Sequence, residues 1–189
     1  MEKYWKNRNR LKELIKEKSL IISDDMEFKL ASGGKSNFFF DMKNVSLDPE
    51  GANLIADAII EIIKLENEEV DYIGGLESGA IPIVAAVCEK SWLMGPRPIP
   101  GFFLRKEPKK RGTMKLIEGN LKKNSKVIIL DDVTTKGGSV LNAVNEVRKL
   151  GCIVNKVITV VDRLEGAKEN LTKNQITLFS LFTKDDFGI

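Results

Sequence analysis

The pattern of apolar and polar residues predicts a chain of alternating strands and helices. The run 127–130 is apolar and mostly β-branched, which is typical of an interior strand of a parallel sheet. After it, Val140, Val144 and Val147 recur at helical spacing until Gly151, where a helix would stop. Doubly wound α/β folds repeat such strand–helix units, and they bind ligands at the carboxyl ends of their strands.

Other parts of the chain continue this alternation. The apolar spacing predicts an amphipathic helix over 4–18. Asp48 followed by Pro49 is typical of a helix start, an N-cap with proline at the first helical position, and this helix should run to about residue 65. Short strands are predicted at 71–75, at 154–161 and on either side of the turn 32–34.

Length, charge and composition narrow the class of protein. The chain has 189 residues, 42% of them hydrophobic, and a formal net charge of +3, which suits a single domain with one substantial core. Cys88 and Cys152 stand alone in apolar runs, which indicates a reducing compartment, so we expect a cytoplasmic protein. Because no apolar run approaches the ~20 residues that a membrane span needs, neither an anchor nor a signal peptide is expected.

The chain contains no histidine. Ser-His-Asp catalysis, Cys-His catalysis and histidine-ligated metal sites are therefore excluded. Any chemistry must use carboxylates, lysines, arginines, hydroxyls and backbone N–H groups, together with a hard, oxygen-bound cation such as Mg²⁺.

The central strand runs into Asp131 and Asp132 and then into the turn 134–139. That turn offers hydroxyls, glycines and a helix N-terminus, which together suit a phosphate monoester. The two carboxylates would repel a phosphate, so they should face sugar hydroxyls or a cation. A ribose 5-phosphate with vicinal hydroxyls suits both parts, because its phosphate can bind the turn and its hydroxyls can bind the carboxylates. The alternative is that the acids merely end a strand and the glycines merely turn the chain.

Residues 127–139 resemble the signature by which the type I phosphoribosyltransferases bind 5-phosphoribosyl 1-diphosphate (PRPP). The signature is a hydrophobic run followed by acid-acid-hydrophobic-x-Thr-x-Gly-Gly-Ser. The resemblance implies that the two acids hold the ribose hydroxyls and stabilise positive charge on the sugar, while the turn holds the 5′-phosphate. The PRPP-binding residues implied here are Asp131, Asp132, Val133, Thr134, Thr135, Lys136, Gly137, Gly138 and Ser139.

An aromatic segment lies near the amino end of the chain. Lys35-Ser36 is similar to the end of a Walker A loop, but the first glycine of that motif would fall at Lys29, and an aromatic strand follows where a helix is needed. The segment instead resembles the F-x-L-x-S-G-x-x-S-x-x-x-x-D hood of orotate phosphoribosyltransferases. The resemblance implies that Phe39 and Phe40 close over a pyrimidine ring. The alternative is a strand that simply buries its aromatic residues.

Positive charge is concentrated between residues 105 and 115. This stretch has six basic residues and one acid, a net charge of +5, which leaves −2 for the rest of the chain. A protein that binds nucleic acid would more often spread its charge over a face, so no nucleic-acid partner is expected. The stretch is either a solvated loop or a cationic loop that covers a polyanionic leaving group.

The same stretch closely resembles the catalytic loop R-K-x-x-K-x-H-G of the orotate phosphoribosyltransferases. Arg105, Lys106 and Lys109 match this loop, and Arg111 stands where histidine is usual. Arginine keeps the charge at this position but does not titrate near neutral pH. The resemblance implies that all four residues bind PRPP. It also implies that Lys109 and Arg111 act in catalysis together with Asp131 and Asp132.

Two further strings resemble the same family. Residues 75–82 match a G-x-E-x-x-G-I-P loop, which implies a position near the pyrophosphate of PRPP. Residues 162–167 match D-R-x-E-x-A, which implies that Arg163 holds orotate, with Thr135 as a second contact. An arginine at the end of a strand can pair bidentately with a planar carboxylate, although a surface ion pair is the alternative.

These matches cover residues 28–167 in the family's order, so the resemblance implies an enzyme that joins orotate to PRPP, giving orotidine 5′-monophosphate and pyrophosphate. It implies one domain, with a helix and hood in 1–47 and a Rossmann-like parallel sheet flanked by helices in 48–189. Mg²⁺ should enter with PRPP, without His or Cys ligands, and the loop should reach the partner's site in a homodimer. A phosphoribosyltransferase for uracil or a purine, or a PRPP-sensing regulator on the same fold, is the alternative.

Overall fold

The computed structural model describes residues 7–23, 28–29, 35–67, 69–107 and 116–189. The strands in these ranges are β1 (Leu20–Ile22), β2 (Phe28–Lys29), β3 (Lys35–Ser36), β4 (Phe38–Phe40), β5 (Tyr72–Leu76), β6 (Gly101–Leu104), β7 (Ile117–Gly119), β8 (Lys126–Thr134), β9 (Ile153–Asp162) and β10 (Thr177–Thr183). The helices are α1 (Arg8–Lys18), α2 (Lys43–Ser46), α3 (Pro49–Leu65), α4 (Ala80–Met94), α5 (Gly138–Arg148) and α6 (Ala167–Lys173), followed by a 3₁₀ turn (Lys184–Phe187).

The amino-terminal helices follow their sequence signals. Asp48 caps α3, because its carboxylate accepts hydrogen bonds from the backbone N–H groups of Glu50 and Gly51, both at 3.0 Å. The apolar stripe of α1 is buried and belongs to the same hydrophobic cluster as α3. The first residues of the helix predicted over 4–18 lie outside the described residues, and its remainder is confirmed.

Six described strands form the main sheet in the order β10-β9-β8-β5-β6-β7. Neighbouring strands are parallel except β7, which pairs antiparallel with β6 at the edge. The strand order reverses between β5 and β8, which is the topological switch point where doubly wound sheets bind ligands. The predicted Rossmann-like sheet is confirmed, with an antiparallel edge strand that the sequence pattern did not indicate.

Helices cover both faces of the sheet. Along β8, Ile128 and Leu130 belong to the hydrophobic cluster that contains α3 and α4, whereas Val127 and Ile129 belong to the cluster that contains α5. Side chains alternate between the two faces of a strand, so this strand must be apolar at successive positions to fill both clusters. The uninterrupted apolar run in the sequence reflects this double burial.

The central strand is longer than the sequence predicted. We expected a loop from Thr134, whereas β8 continues through both acids to Thr134. Its partner β9 is ten residues long and pairs with these positions, as in Asp131 with Thr159 and Thr134 with Asp162. Because the neighbouring strand takes up the backbone hydrogen bonds, polar side chains can stand on β8 without ending it.

The hood consists of two small antiparallel pairs. Phe28 pairs with Ser36 in β2–β3, and the turn predicted at 32–34 between these strands lies outside the described residues. Phe38 and Phe40 in β4 pair with Ile22 and Leu20 in β1. The two short strands predicted around the turn are confirmed, and they place the aromatic segment beside the carboxyl edge of the main sheet.

Candidate functional site

A cleft of about 510 Å³ lies at the carboxyl edge of the sheet, where β8 and β9 end. It brings together the hood, residues 131–139 and Arg163, which follows the end of β9. The lining residues are Phe39, Phe40, Lys43, Asp131, Asp132, Val133, Thr134, Thr135, Lys136, Gly137, Gly138, Ser139, Val140 and Arg163. A polar cleft at the switch point of a parallel sheet is a typical ligand site.

The two acids of β8 are anchored from their own strand. Asp131 accepts a hydrogen bond of 2.8 Å from the Thr134 hydroxyl, and Asp132 accepts one of 2.9 Å from the backbone N–H of Val133. Burial, reinforced by the charge of Asp132, raises the pKa of Asp131 to about 8. Burial also raises the pKa of Asp132. This pair therefore favours a hydroxyl donor or a positive charge beside it.

The turn after β5 approaches the acid pair closely. A Cβ atom built on Gly79 would lie 2.2 Å from a carboxylate oxygen of Asp132, so the backbone of this turn contacts the acid directly. The side chain of Glu77 accepts a 2.9 Å hydrogen bond from the backbone N–H of Lys106. Residues 75–82, which were predicted to lie near a pyrophosphate, thus connect the cleft to the first residues of the cationic loop.

The turn between β8 and α5 is shaped to admit an anion. Gly137 has φ +74° at the N-cap of α5, a conformation that favours glycine, and nothing lies within 4 Å of a Cβ built on Gly138. The backbone N–H groups at the start of this 11-residue helix therefore open onto the cleft. Hydroxyls from Thr135 and Ser139 line the same space.

The hood closes the other side of the cleft. Phe39 stacks on Phe28, with 5.8 Å between ring centroids. Phe40 also lines the cleft, but it is only 3% exposed and packs edge-on against Phe187 at 5.2 Å. Phe40 therefore belongs mainly to the core, and the expectation that both rings cover a base stays a prediction.

Arg163 follows the end of β9 and is buried, with 2% of its side chain exposed. Its Nε donates to Glu165 at 2.8 Å, and its Nη2 donates to the Ser36 hydroxyl at 2.9 Å. The guanidinium also lies over the Phe38 ring, 4.1 Å from the centroid. The surface ion pair considered as an alternative does not fit this burial.

The described part of the cationic loop makes its contacts outside the lining of the cleft. Arg105 donates to Glu118 at 3.0 Å, and Lys106 is exposed. Neither residue is among those that line the cleft. Lys109 and Arg111 lie outside the described residues, so their predicted contacts with PRPP stay predictions.

Lys43, which lines the cleft at the start of α2, was not predicted from the sequence. Its Nζ lies 2.8 Å from Oδ1 of Asp41, and this ion pair, with a smaller contribution from the charge of Asp132, raises the pKa of Lys43. A lysine two residues after an aspartate is a common pattern. Only the fold shows that this pair faces the acids of β8.

Within the described ranges, no group of three or more His, Cys, Asp and Glu side chains could hold a metal ion. Asp131 and Asp132 are the carboxylates among the residues that line the cleft, and a single pair suits a cation held mainly by ligand oxygens. Among the same residues, no helix has the length and apolar character needed to cross a membrane.

Comparisons with known proteins agree on one family. The family model for the "Phosphoribosyl transferase domain" matches residues 42–182. An orotate phosphoribosyltransferase of Rhodopseudomonas palustris (strain BisB18) is 42% identical over 185 residues, covering 96% of each chain. One of Methanocaldococcus jannaschii is 48% identical over 157 residues, covering 83% of this chain and 84% of the relative.

Solved structures show the same likeness. The orotate phosphoribosyltransferase of Mycobacterium tuberculosis, crystallised with Fe(III) dicitrate, superposes with a TM-score of 0.82 at 30% identity, covering 97% of this chain and 100% of that chain. The same enzyme crystallised with PRPP gives a TM-score of 0.77 at 29% identity, with the same coverage.

Proposed function

This chain belongs to the phosphoribosyltransferase family, among the orotate phosphoribosyltransferases, and from that premise we propose how its cleft joins orotate to PRPP. Enzymes of this kind are pentosyltransferases of pyrimidine biosynthesis, and their products are orotidine 5′-monophosphate and pyrophosphate. The observation that carries the proposal is that an acid pair, a hydroxyl–glycine turn and a buried arginine line one cleft.

The cleft divides into parts that suit the parts of the substrates. The turn 135–139 at the N-terminus of α5 suits the 5′-phosphate of PRPP. Asp131 and Asp132 then face the ribose hydroxyls, and the orotate ring lies between Phe39 and Arg163. In this orientation, the orotate carboxylate meets the guanidinium of Arg163, and the pyrophosphate points towards Gly79.

The chemistry needs little from a general acid or base. The bond between C1′ of the ribose and pyrophosphate breaks, and both of its electrons leave with the pyrophosphate oxygen. N1 of orotate bonds to C1′, and the proton on N1 passes to water or to the departing pyrophosphate. Positive charge develops on the ribose, where the carboxylates of Asp131 and Asp132 stabilise it electrostatically. A chain without histidine can carry out this reaction because its contribution is positioning and charge.

Mg²⁺ fits this site as a partner of the substrate. Oxygens of PRPP would hold the ion, and Asp131 and Asp132 would contact it through the ribose hydroxyls that they bind. When bound, the ion would neutralise charge on the leaving pyrophosphate. The chain itself limits the access of water and orients the reacting atoms, with the hood covering one side of the cleft.

The cationic loop is proposed to act across a dimer. Arg105 and Lys106 begin this loop and do not line the cleft of their own chain, which supports donation of Lys109 and Arg111 to the neighbouring copy. In a homodimer with two-fold symmetry, each subunit would receive the loop that the other provides. A cytoplasmic location is proposed as well, because both cysteines are free thiols.

Product analysis tests the proposed reaction. Purified protein with PRPP and Mg²⁺ should convert orotate to its 5′-monophosphate nucleotide, and it should act far more slowly on uracil, adenine or hypoxanthine. The Arg163→Ala variant should lose roughly 1.5–3 kcal/mol of orotate binding or more, with PRPP binding nearly unchanged. Efficient conversion of uracil or a purine by the unmodified protein would favour the rival assignment to another base.

A further inference from the structure

The guanidinium of Arg163 is held from three directions. Glu165 accepts from Nε at 2.8 Å, Ser36 accepts from Nη2 at 2.9 Å, and the ring of Phe38 lies under the guanidinium plane, 4.1 Å from Cζ. Glu165 is a neighbour in sequence, but Ser36 lies 127 residues earlier. The strand-end arginine is therefore oriented largely by the hood.

Ser36 and Phe38 are themselves fixed within the hood. The Ser36 hydroxyl accepts a second hydrogen bond, 3.2 Å long, from the backbone N–H of Phe38. Phe38 packs edge-on against Phe40 at 6.0 Å, and Phe40 packs against Phe187 at 5.2 Å. A row of aromatic rings thus connects the support under Arg163 to the buried core.

Among the described residues, these contacts use only part of the guanidinium. An arginine has five N–H donors, and the hydrogen bonds to Glu165 and Ser36 use two of them. Arg163 also lines the cleft. Bidentate pairing with a carboxylate requires the guanidinium plane to be correctly oriented, so fixing that plane beforehand reduces the conformational freedom lost on binding.

We propose that Ser36 and Phe38 are positioning residues for orotate selection, which hold Arg163 in the orientation that receives the substrate carboxylate. The hood then has two functions, because Phe39 and Phe40 line the cleft while Ser36 and Phe38 orient the arginine. This inference rests on the proposed function, in which Arg163 binds orotate.

A double-mutant cycle separates positioning from general support of the hood. Phe38→Leu should raise the orotate KM about tenfold, while the KM for PRPP changes less than about twofold. In an Arg163→Ala background, Phe38→Leu should cause almost no further loss, since the guanidinium it supports is absent. Phe38→Tyr keeps an aromatic face and should restore most of the affinity for orotate.

The control is Phe28→Leu, the same substitution in a hood ring that stacks on Phe39. Its effect should be the same with or without Arg163. If thermal unfolding shows that Phe38→Leu does not fold, Ser36→Ala, which removes only a hydroxyl, replaces it in the same double-mutant cycle. Equal losses from Phe38→Leu in both backgrounds would overturn the positioning proposal. An unmodified protein that makes no nucleotide from orotate would overturn the proposed function and, with it, this inference.

Discussion

Adding one methyl group at Gly79 should disable the acid pair without damaging the fold. Gly79 precedes α4 with φ −64° and ψ −38°, which alanine adopts without strain. A Cβ atom there would lie 2.2 Å from Oδ2 of Asp132 and 2.3 Å from its Cγ. Ordinary non-bonded contacts to carbon are roughly 3.5 Å, so the carboxylate of Asp132 must withdraw by about 1 Å.

The size of the effect follows from that displacement. A misplacement of about 1 Å in a catalytic constellation reduces the rate about 100-fold, which corresponds to ~2.7 kcal/mol of transition-state stabilisation. We therefore expect kcat/KM for PRPP to fall about 100-fold in Gly79→Ala. The free energy of unfolding should change little, because a gain of about 0.4–1 kcal/mol from restricting the unfolded chain opposes the cost of displacing the carboxylate.

The assay is steady-state kinetics with PRPP varied, together with PRPP binding by calorimetry. In an Asp132→Ala background, Gly79→Ala should weaken PRPP binding by less than about threefold, because the carboxylate that the methyl group displaces is gone. Gly95→Ala is the matched control, since the nearest atom to its Cβ would be 4.0 Å away. If Gly79→Ala keeps its activity, or loses as much binding without Asp132 as with it, the assigned contact is wrong.

Three further predictions address charge and assembly. The pKa of Asp131 is raised from 3.8 to about 8, so the folded protein retains a proton that the unfolded chain releases, and stability without ligand should fall as pH rises between these values. Asp131→Asn should reduce that slope in urea unfolding at pH 5, 7 and 9 and be more stable than the unmodified protein at pH 9; parallel curves would contradict the raised pKa. Arg111→His should lose activity as pH rises through about 6.5, whereas Arg111 keeps its charge, so identical pH–rate profiles between pH 7 and 9 would mean that residue 111 does not touch the reacting charges. Mixing Lys109→Ala with Asp132→Ala, each nearly inactive, should restore about a quarter of the activity if loops are exchanged between subunits; no recovery after verified subunit exchange would exclude the shared site.

The parts of the site that could be predicted from sequence are those formed within one short segment. The residues from Asp131 to Ser139 are consecutive, so a strand followed by a helix must bring them to one edge of the sheet. Arg163 could be predicted for the same reason, as a charged residue at the end of a buried strand. In both cases the position follows from the order of residues within one short stretch of the chain.

The contacts that could not be predicted join distant segments. The hydrogen bond from Arg163 to Ser36 spans 127 residues, and no periodicity relates the two positions. Lys43 was missed because the short helix α2 gives no amphipathic pattern. The strand β10 was not predicted either, although three of its residues, Phe179, Leu181 and Phe182, pack into the core. Its position depends on pairing with β9, which the local sequence does not show.

The charge balance of the cleft connects the stability prediction to catalysis. Burial opposes ionisation of Asp131 and Asp132, and Lys43, the cation beside Asp132, is already paired with Asp41. The described side chains therefore leave the acid pair short of positive charge. A ribose on which positive charge develops supplies it, so the interaction is stronger in the transition state than with either bound substrate, which is the condition for raising kcat. Asp131→Asn should therefore gain stability at high pH for the same reason that it loses activity.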